Sequence, residues 1–447
     1  MVRETIAALA TPSGIGGVGI VRVSGPFVPS IALSMLGRVP KARLATFGAF
    51  RSADGSPIDE GIALYFPGPR SFTGEHVLEL QAHGGPVVMD LLLRRTIELG
   101  ARLARPGEFS ERAFLNGKMD LTQAEAVADL IESTTELAAR LASRTLQGEL
   151  SRRVQQLADG LIAMRTLVEA TLDFPDEETD SYTDSEIRAG LQELIHQLGD
   201  VMASAHQGQL IREGLRVVIA GPPNAGKSSL LNALSGSDVA IVTDIPGTTR
   251  DLVRQEIQID GMPLHVVDTA GLRHSVDPVE LEGVRRTRGQ LEQADCILWV
   301  FDGLADPTHQ RFDPTYLSSA APVTFIRNKV DLLGVPAGAR NTPAGIEISI
   351  SARTGEGLEH LRQHLKKVAG FHSGVEGQFL ARRRHLVALE RALHCLHSAA
   401  DHLVRRSASE LLAEDLRLAH RALGEITGEF TSEDLLGSIF STFCIGK

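Results

Sequence analysis

Apolar and polar positions alternate in short runs from Thr5 to about Lys118, as in Gly19–Val23 and Val77–Gln81, with Gly and Pro between the runs. Period-two patterning broken by turn formers predicts strands within a mixed domain. At Asp120 the texture changes: to about Gln209 the chain is rich in Ala, Leu, Glu, Gln and Arg, with apolar positions three and four apart. That spacing predicts helices. From Leu215 to about Gly370, polar helical stretches separate the apolar runs Val217–Ala220, Leu264–Val267, Cys296–Phe301, Val323–Ile326 and Ile346–Ile350. Strand–helix alternation with continuous apolar strands predicts a parallel sheet covered on both faces. The helical texture returns from about Gly377, with Leu386, Leu389, Leu393 and Leu396 at helical spacing.

The fold class expected is therefore multidomain, α+β and α/β. Residues 1–118 form a mixed α/β domain, 119–213 and 372–447 are two halves of a helical domain, and 214–371 are an α/β module inserted between them. The acidic segment Asp173–Asp180 contains Pro175 and interrupts the first helical stretch. It reads as a solvated turn rather than a metal site, because no helical spacing converges its acids.

Composition narrows the class. In 447 residues, 43% are hydrophobic and 23% charged, which excludes long disorder and a bundle of membrane helices. The 45 basic residues against 56 acidic ones give a net charge of −11, so global positive charge does not hold a polyanion here, although a local basic patch remains open. Cys296, Cys395 and Cys444 show neither Cys-x-x-Cys spacing nor an even count, so neither a disulfide framework nor a structural zinc site is expected. Met1–Ala10 lacks a secretory apolar core, and the longest apolar runs are too short to span a bilayer. A cytoplasmic protein without a membrane partner is the expectation.

Chemistry concentrates in the α/β module. Gly221–Ser228 (Gly-Pro-Pro-Asn-Ala-Gly-Lys-Ser) fits the phosphate-binding pattern G-x-x-x-x-G-K-[ST], follows the strand Leu215–Ala220 and precedes the helical run Ser228–Leu234. Backbone N–H groups of Asn224, Ala225 and Gly226 cradle phosphates there, Lys227 reaches the outer phosphates, and Ser228, with Ser229 beside it, offers a hydroxyl to Mg²⁺. Asp268, Thr269, Ala270 and Gly271 end a second strand, where a metal-side carboxylate and a γ-phosphate-sensing glycine belong. Asn328, Lys329 and Asp331 end a third. An ionised Asp331 accepts hydrogen bonds from the N1–H and 2-amino group that guanine has and adenine lacks, each charge-assisted bond being worth about 1.5–3 kcal/mol. Ser351, Ala352 and Arg353 follow the last strand as a further base-contacting loop. The substrate expected is GTP.

These motifs, with the stretch Thr243, Asp244, Ile245, Pro246, Gly247, Thr248 and Thr249 and the terminal Phe443–Lys447, resemble the MnmE (TrmE) family of tRNA-modification GTPases, within the potassium-activated TrmE-Era-Era-like-YihA-YchF group. The resemblance covers Thr5 to Lys447 and implies a Ras-like GTPase domain at 214–371. Ras-like enzymes orient water with a glutamine after the Asp-x-x-Gly motif, whereas here Leu272 follows Gly271. The resemblance implies instead that Asn224, Thr243, Ile245 through its carbonyl, and Thr248 hold K⁺ against the phosphates. It also implies that Thr249 joins Ser228 around Mg²⁺ and that Glu280 positions the attacking water, Glu282 being the neighbouring acid.

For the N-terminal domain the resemblance implies dimerisation and a tetrahydrofolate site (5-formyl- or methylene-tetrahydrofolate) contacted by Arg22, Glu79 and Lys118, with Cys444 and Lys447 of the tail beside it. The competing motif Gly14–Gly19 matches G-x-G-x-x-G, yet Ile20–Val23 alternates like a strand and no acid stands at residues 37–40, so a dinucleotide site is not expected. Cys444 is fourth from the end but lacks the aliphatic residues of a prenylation signal; a nucleophilic role and an incidental exposed thiol both remain open. Arg382–Arg384 and Arg405–Arg406 are either a solvated face or a landing strip for tRNA phosphates.

The function implied is a GTPase that, as a homodimer and with an FAD-binding MnmG (GidA)-like partner in a heterotetramer or larger complex, modifies tRNA. It adds an aminomethyl or carboxymethylaminomethyl group to C5 of the wobble uridine, using a folate one-carbon unit. The alternative is an RNA-binding switch of ribosome assembly resembling Era or Der, which predicts an appended RNA-binding module and no folate affinity.

Overall fold

A computed structural model describes residues 4–173, 184–236, 254–268, 294–307, 312, 321–371, 379–405, 409–430, 432–443 and 446. In chain order the N-terminal region gives β1 (Ile6–Leu9), β2 (Gly16–Ser24), α1 (Val28–Leu36), β3 (Thr46–Arg51), β4 (Pro57–Phe66), β5 (Val77–Gly84), α2 (Pro86–Glu98), β6 (Arg102–Leu103) and α3 (Glu108–Leu115). Helices α4 (Leu121–Glu132), α5 (Glu136–Leu146), α6 (Glu149–Asp173) and α7 (Asp184–Glu213) follow. Next come β7 (Leu215–Ala220), α8 (Lys227–Ser235), β8 (Arg254–Ile259), β9 (Met262–Asp268), β10 (Cys296–Asp302) and β11 (Val323–Asn328). The last are β12 (Gly338–Thr342), β13 (Gly345–Ser349), α9 (Leu358–Ala369), α10 (Arg383–Arg405), α11 (Ser409–Thr427) and α12 (Glu433–Ser441). The chain divides into two compact units, one of Met1–Ala128, Thr145–Leu194 and His394–Lys447, the other of Asp129–Arg144 and Ile195–Leu393.

In the first unit a six-stranded sheet has the order β3-β4-β5-β2-β1-β6. Its neighbours are antiparallel except for the parallel pair β1 and β6. Alternation on β2 turns Val21 and Val23 into a core with Leu78 and Leu80 of β5, Ile31 and Met35 of α1 and Met89 and Leu92 of α2. The intervening Arg22 takes the other face and lies directly opposite Glu79 in the register. The Gly14–Gly19 motif opens this strand rather than a helix, as its pattern predicts. A β-carbon on Gly19 would run into the Met89 side chain, so that glycine lets α2 pack close to β2. Among the helices of this unit, α6 packs along α11.

In the second unit the strand order is β12-β13-β11-β10-β7-β9-β8. Strands β9, β7, β10, β11 and β13 run parallel, and β8 and β12 close the two edges antiparallel. The central strands are buried on both faces: Cys296, Ile297, Leu298, Val300 and Phe301 are fully buried. The carboxyl ends of β7, β10, β11 and β13 therefore share one edge, where loops of a parallel α/β sheet bind ligands. Two expectations need completing. Strands β8 and β12 were not read from the sequence, and Asp173–Asp180 lies almost wholly outside the described residues.

Candidate functional site: a guanine-nucleotide cradle

Strand β7 carries the phosphate loop. Its last residue, Ala220, is buried beside Trp299 of β10, and Gly221 leaves the strand at φ +145°, where a β-carbon would strike the Val300 carbonyl oxygen. Only glycine permits that approach. Asn224 takes φ +61° and Gly226 φ +95° before α8 begins at Lys227, and the Ala225 N–H returns to the Pro222 carbonyl at 3.4 Å. Lys227 Nζ folds back on the loop and donates to the carbonyls of Gly221 and Pro222 at 2.9 and 3.0 Å. Ser228 and Ser229 are exposed on the first turn of α8, and Ala225 is fully buried beneath the loop.

One buried side chain ties this loop to the loops that follow β11 and β13. Asn328 is 2% exposed; its Nδ2 donates to Ala225 O at 2.8 Å, while its Oδ1 accepts from the backbone N–H of Lys329 at 2.8 Å and of Ala352 at 3.0 Å. Asp331 sits in the 3₁₀ turn Val330–Leu332 with its carboxylate exposed. Ser351 is buried and its hydroxyl accepts from Thr354 N–H at 3.2 Å, fixing the turn that presents Ala352 and Arg353.

Lys329, at φ +68°, pairs through Nζ with Asp302 Oδ2 at 2.6 Å. Burial raises the Asp302 carboxyl, but the Lys329 bond and the N–H groups of Leu304 and Ala305 outweigh it and hold the group below its usual range. Asp302 was not singled out from sequence; its place at the end of an apolar strand, before Gly303, was the available signal. Asp268 ends β9 opposite Ile219 of β7, so its backbone reaches the same edge. Thr243, Asp244, Ile245, Pro246, Gly247, Thr248, Thr249, Thr269, Ala270, Gly271 and Glu280 lie outside the described residues.

A second cluster forms in the first unit. Arg22 meets Glu79 Oε1 through Nε at 3.0 Å and Nη2 at 2.9 Å, and its Nη1 donates to Gly446 O at 3.2 Å. The rings of Phe72 and Phe109 each lie 5.8 Å from the guanidinium carbon. Gly446, at φ +97°, is pressed so closely on Leu9 that a β-carbon would strike the Leu9 carbonyl oxygen. The tail residue Gly446 thus meets Arg22, while Cys444 and Lys447 lie outside the described residues. Lys118, which follows α3, donates to Pro69 O on the loop that carries Phe72 at 3.1 Å. Phe72 and Phe109 have no signature in a linear reading.

The remaining sequence candidates separate. Cys296 is buried in β10, and burial pushes its thiol up to about 11, which leaves it an inert packing residue. Arg382 is held within the fold, its Nη2 pairing at 2.7 Å with Asp129, which is 5% exposed and also held by Arg212 Nε at 2.8 Å; Arg383 is exposed, and Arg406 lies outside the described residues. Among the described residues no cluster of His, Cys, Asp and Glu forms a metal site, and no helix is long and apolar enough to cross a membrane.

Residues 5–118 match the family described as GTP-binding protein TrmE N-terminus, and residues 121–444 that described as MnmE helical domain. The tRNA modification GTPase MnmE of Methylococcus capsulatus is 57% identical over 445 residues, covering 100% of this chain and 99% of that one. The protein of the same name from Erwinia tasmaniensis is 56% identical over 450 residues, covering 99% of each chain. Among solved structures, the G domain of the FeoB iron transporter of T. maritima is 25% identical, covering 35% of this chain and 98% of that one at a TM-score of 0.26, too distant a likeness to carry weight.

Proposed function

This chain belongs to the MnmE (TrmE) family of tRNA modification GTPases, and from that premise we propose that it binds and hydrolyses GTP in the modification of C5 of the tRNA wobble uridine. The observation that carries the proposal is likeness along the whole chain joined to a phosphate loop and base loops held in one frame by Asn328. That full-length likeness leaves the ribosome-assembly reading without support.

In this reading the loop amides and Lys227 neutralise the phosphates, and the exposed Asp331 carboxylate accepts from guanine N1–H and the 2-amino group. Asn328 and the Lys329–Asp302 pair keep that carboxylate in register with the loop. The hydroxyl of Ser228 faces solvent at the start of α8, and Asn224 stands exposed in the loop, so oxygen donors suited to hard cations border the phosphate position. Ser228 and Thr249 would hold Mg²⁺; Asn224, Thr243, Ile245 and Thr248 would hold K⁺. These ions supply positive charge against the charge that develops on the transferring phosphoryl group. Glu280 would orient water in place of the glutamine that Leu272 displaces.

Arg22, Glu79 and Lys118 fit a folate: Glu79 Oε1 is engaged by Arg22, its second oxygen accepts from no group among the described residues, and the cations suit a carboxylate tail. A bound folate supplies a one-carbon unit. The proposal further assigns residues 1–118 to folate binding and dimerisation, 214–371 to the G domain and 119–213 with 372–447 to the helical domain. Cys444 is a candidate nucleophile beside the folate, and an MnmG (GidA)-like flavoprotein is the partner.

The full-length chain should hydrolyse GTP several-fold faster in K⁺ than in Na⁺ at equal ionic strength. Equal rates would remove the cation assignment, and no hydrolysis in either salt would remove the proposal.

A further inference from the structure

Within the first unit, a cavity of about 850 Å³ opens between α6, α11 and the start of α12. Its floor is one face of α11, where Arg417, His420, Arg421 and Glu425 recur at helical spacing. Arg165 enters from α6. Three arginines line the opening, with Glu425 and Glu429 among them. Arg165 is paired with Glu169 at 3.3 Å and Arg417 with Glu414 at 2.6 Å, but Arg421 is exposed and makes no ion pair among the described residues.

The aromatic wall is built by the end of α11. The N–H groups of Gly428 and Glu429 return to the carbonyl of Gly424 at 3.1 and 2.9 Å, and Gly428 takes φ +93°, so the chain doubles back. This lays the Phe430 ring over Gly424, where a β-carbon would collide with it, and against His420 with centroids 5.9 Å apart at 81°. The ring stays 42% exposed despite being held from beneath. A large apolar side chain pinned at the surface of the cavity that Arg421 also lines is positioned to receive a flat ligand.

We infer that this cavity binds an unpaired nucleotide of the tRNA substrate, with Arg421 on a backbone phosphate and the base stacked on Phe430. The inference rests on the tRNA reading above and names a contact surface for it. Single-stranded RNA is recognised by stacking splayed bases on aromatic rings and by cations on the backbone. Glu425 and Glu429 disfavour a bare phosphate as the occupant but serve as acceptors for base N–H groups, so a nucleotide suits the lining better than a simple anion.

The test measures binding of a purified tRNA with wobble uridine to the full-length chain over a range of salt concentrations, for wild type, Arg421→Gln and Phe430→Ala. Arg421→Gln should weaken binding and lower the log–log salt slope by about one. Phe430→Ala should weaken it at least about fivefold with the slope unchanged. Both variants should keep wild-type GTP hydrolysis, since neither residue lies in the nucleotide cradle. Variants that bind like wild type, in a chain that cells require for wobble-uridine modification, overturn the cavity assignment alone. A wild-type chain that binds no tRNA, and without which wobble uridines are still modified, overturns the functional reading together with it.

Discussion

Both ends of the Asn328 amide are spent on the backbone, and each bond reaches a different segment of the nucleotide cradle: Ala225, Lys329 and Ala352. Replacing it with alanine leaves a carbonyl and two N–H groups without their partner in a buried setting. Asn328→Ala should therefore destabilise the α/β unit by about 2–4 kcal/mol and weaken GTP binding at least about tenfold, measured by thermal melting and nucleotide titration.

A charged group makes an equally local prediction in the first unit. Burial pushes the Glu108 carboxyl up, but hydrogen bonds from Arg102, from the Arg105 N–H and from Arg112 prevail and hold it at about 2, below the ordinary 4.5. A depressed folded-state value means that the stabilisation is complete above pH 4.5 and is lost as pH falls toward 2. Glu108→Gln should lower Tm at pH 7, and the gap from wild type should narrow progressively below pH 4.5. A gap independent of pH would mean that Glu108 acts only through packing.

Elements differ in how plainly they can be read from sequence. Strands β7, β10 and β11 announce themselves because strands buried on both faces of a parallel sheet must be continuously apolar, as Cys296–Phe301 is. Strands β8 and β12 escape because an edge strand faces solvent: Arg254–Ile259 carries Arg, Gln and Glu among its apolar positions, and Gly338–Thr342 is polar throughout apart from Ala339. The loops Gly221–Ser228 and Asn328–Asp331 stand out as motifs since each is a run of residues adjacent in sequence. Asp302 behind Lys329, and Phe72 and Phe109 around Arg22, are assembled only by folding. The strand-to-loop corner at Gly221 gives the prediction at this scale. Gly221→Ala places a methyl group against the Val300 carbonyl at a φ of +145°, so it should cost more than about 2 kcal/mol of stability and abolish GTP binding. Retention of tight binding would show that the β7–β10 junction yields more than its geometry implies.

For the whole molecule, the account joins a GTP-hydrolysing unit to a unit that carries the Arg22–Glu79 site and the α11 cavity, within a family whose curated relatives are tRNA modification GTPases. The GTPase and the tRNA assignments both come from likeness along the entire chain. The most direct measurement is to hydrolyse bulk tRNA from cells with and without this chain and compare the wobble-uridine nucleosides by mass spectrometry. The account predicts loss of the aminomethyl-type C5 derivatives in cells lacking the chain, restored by wild type but not by Lys227→Ala. An unchanged nucleoside profile would contradict it.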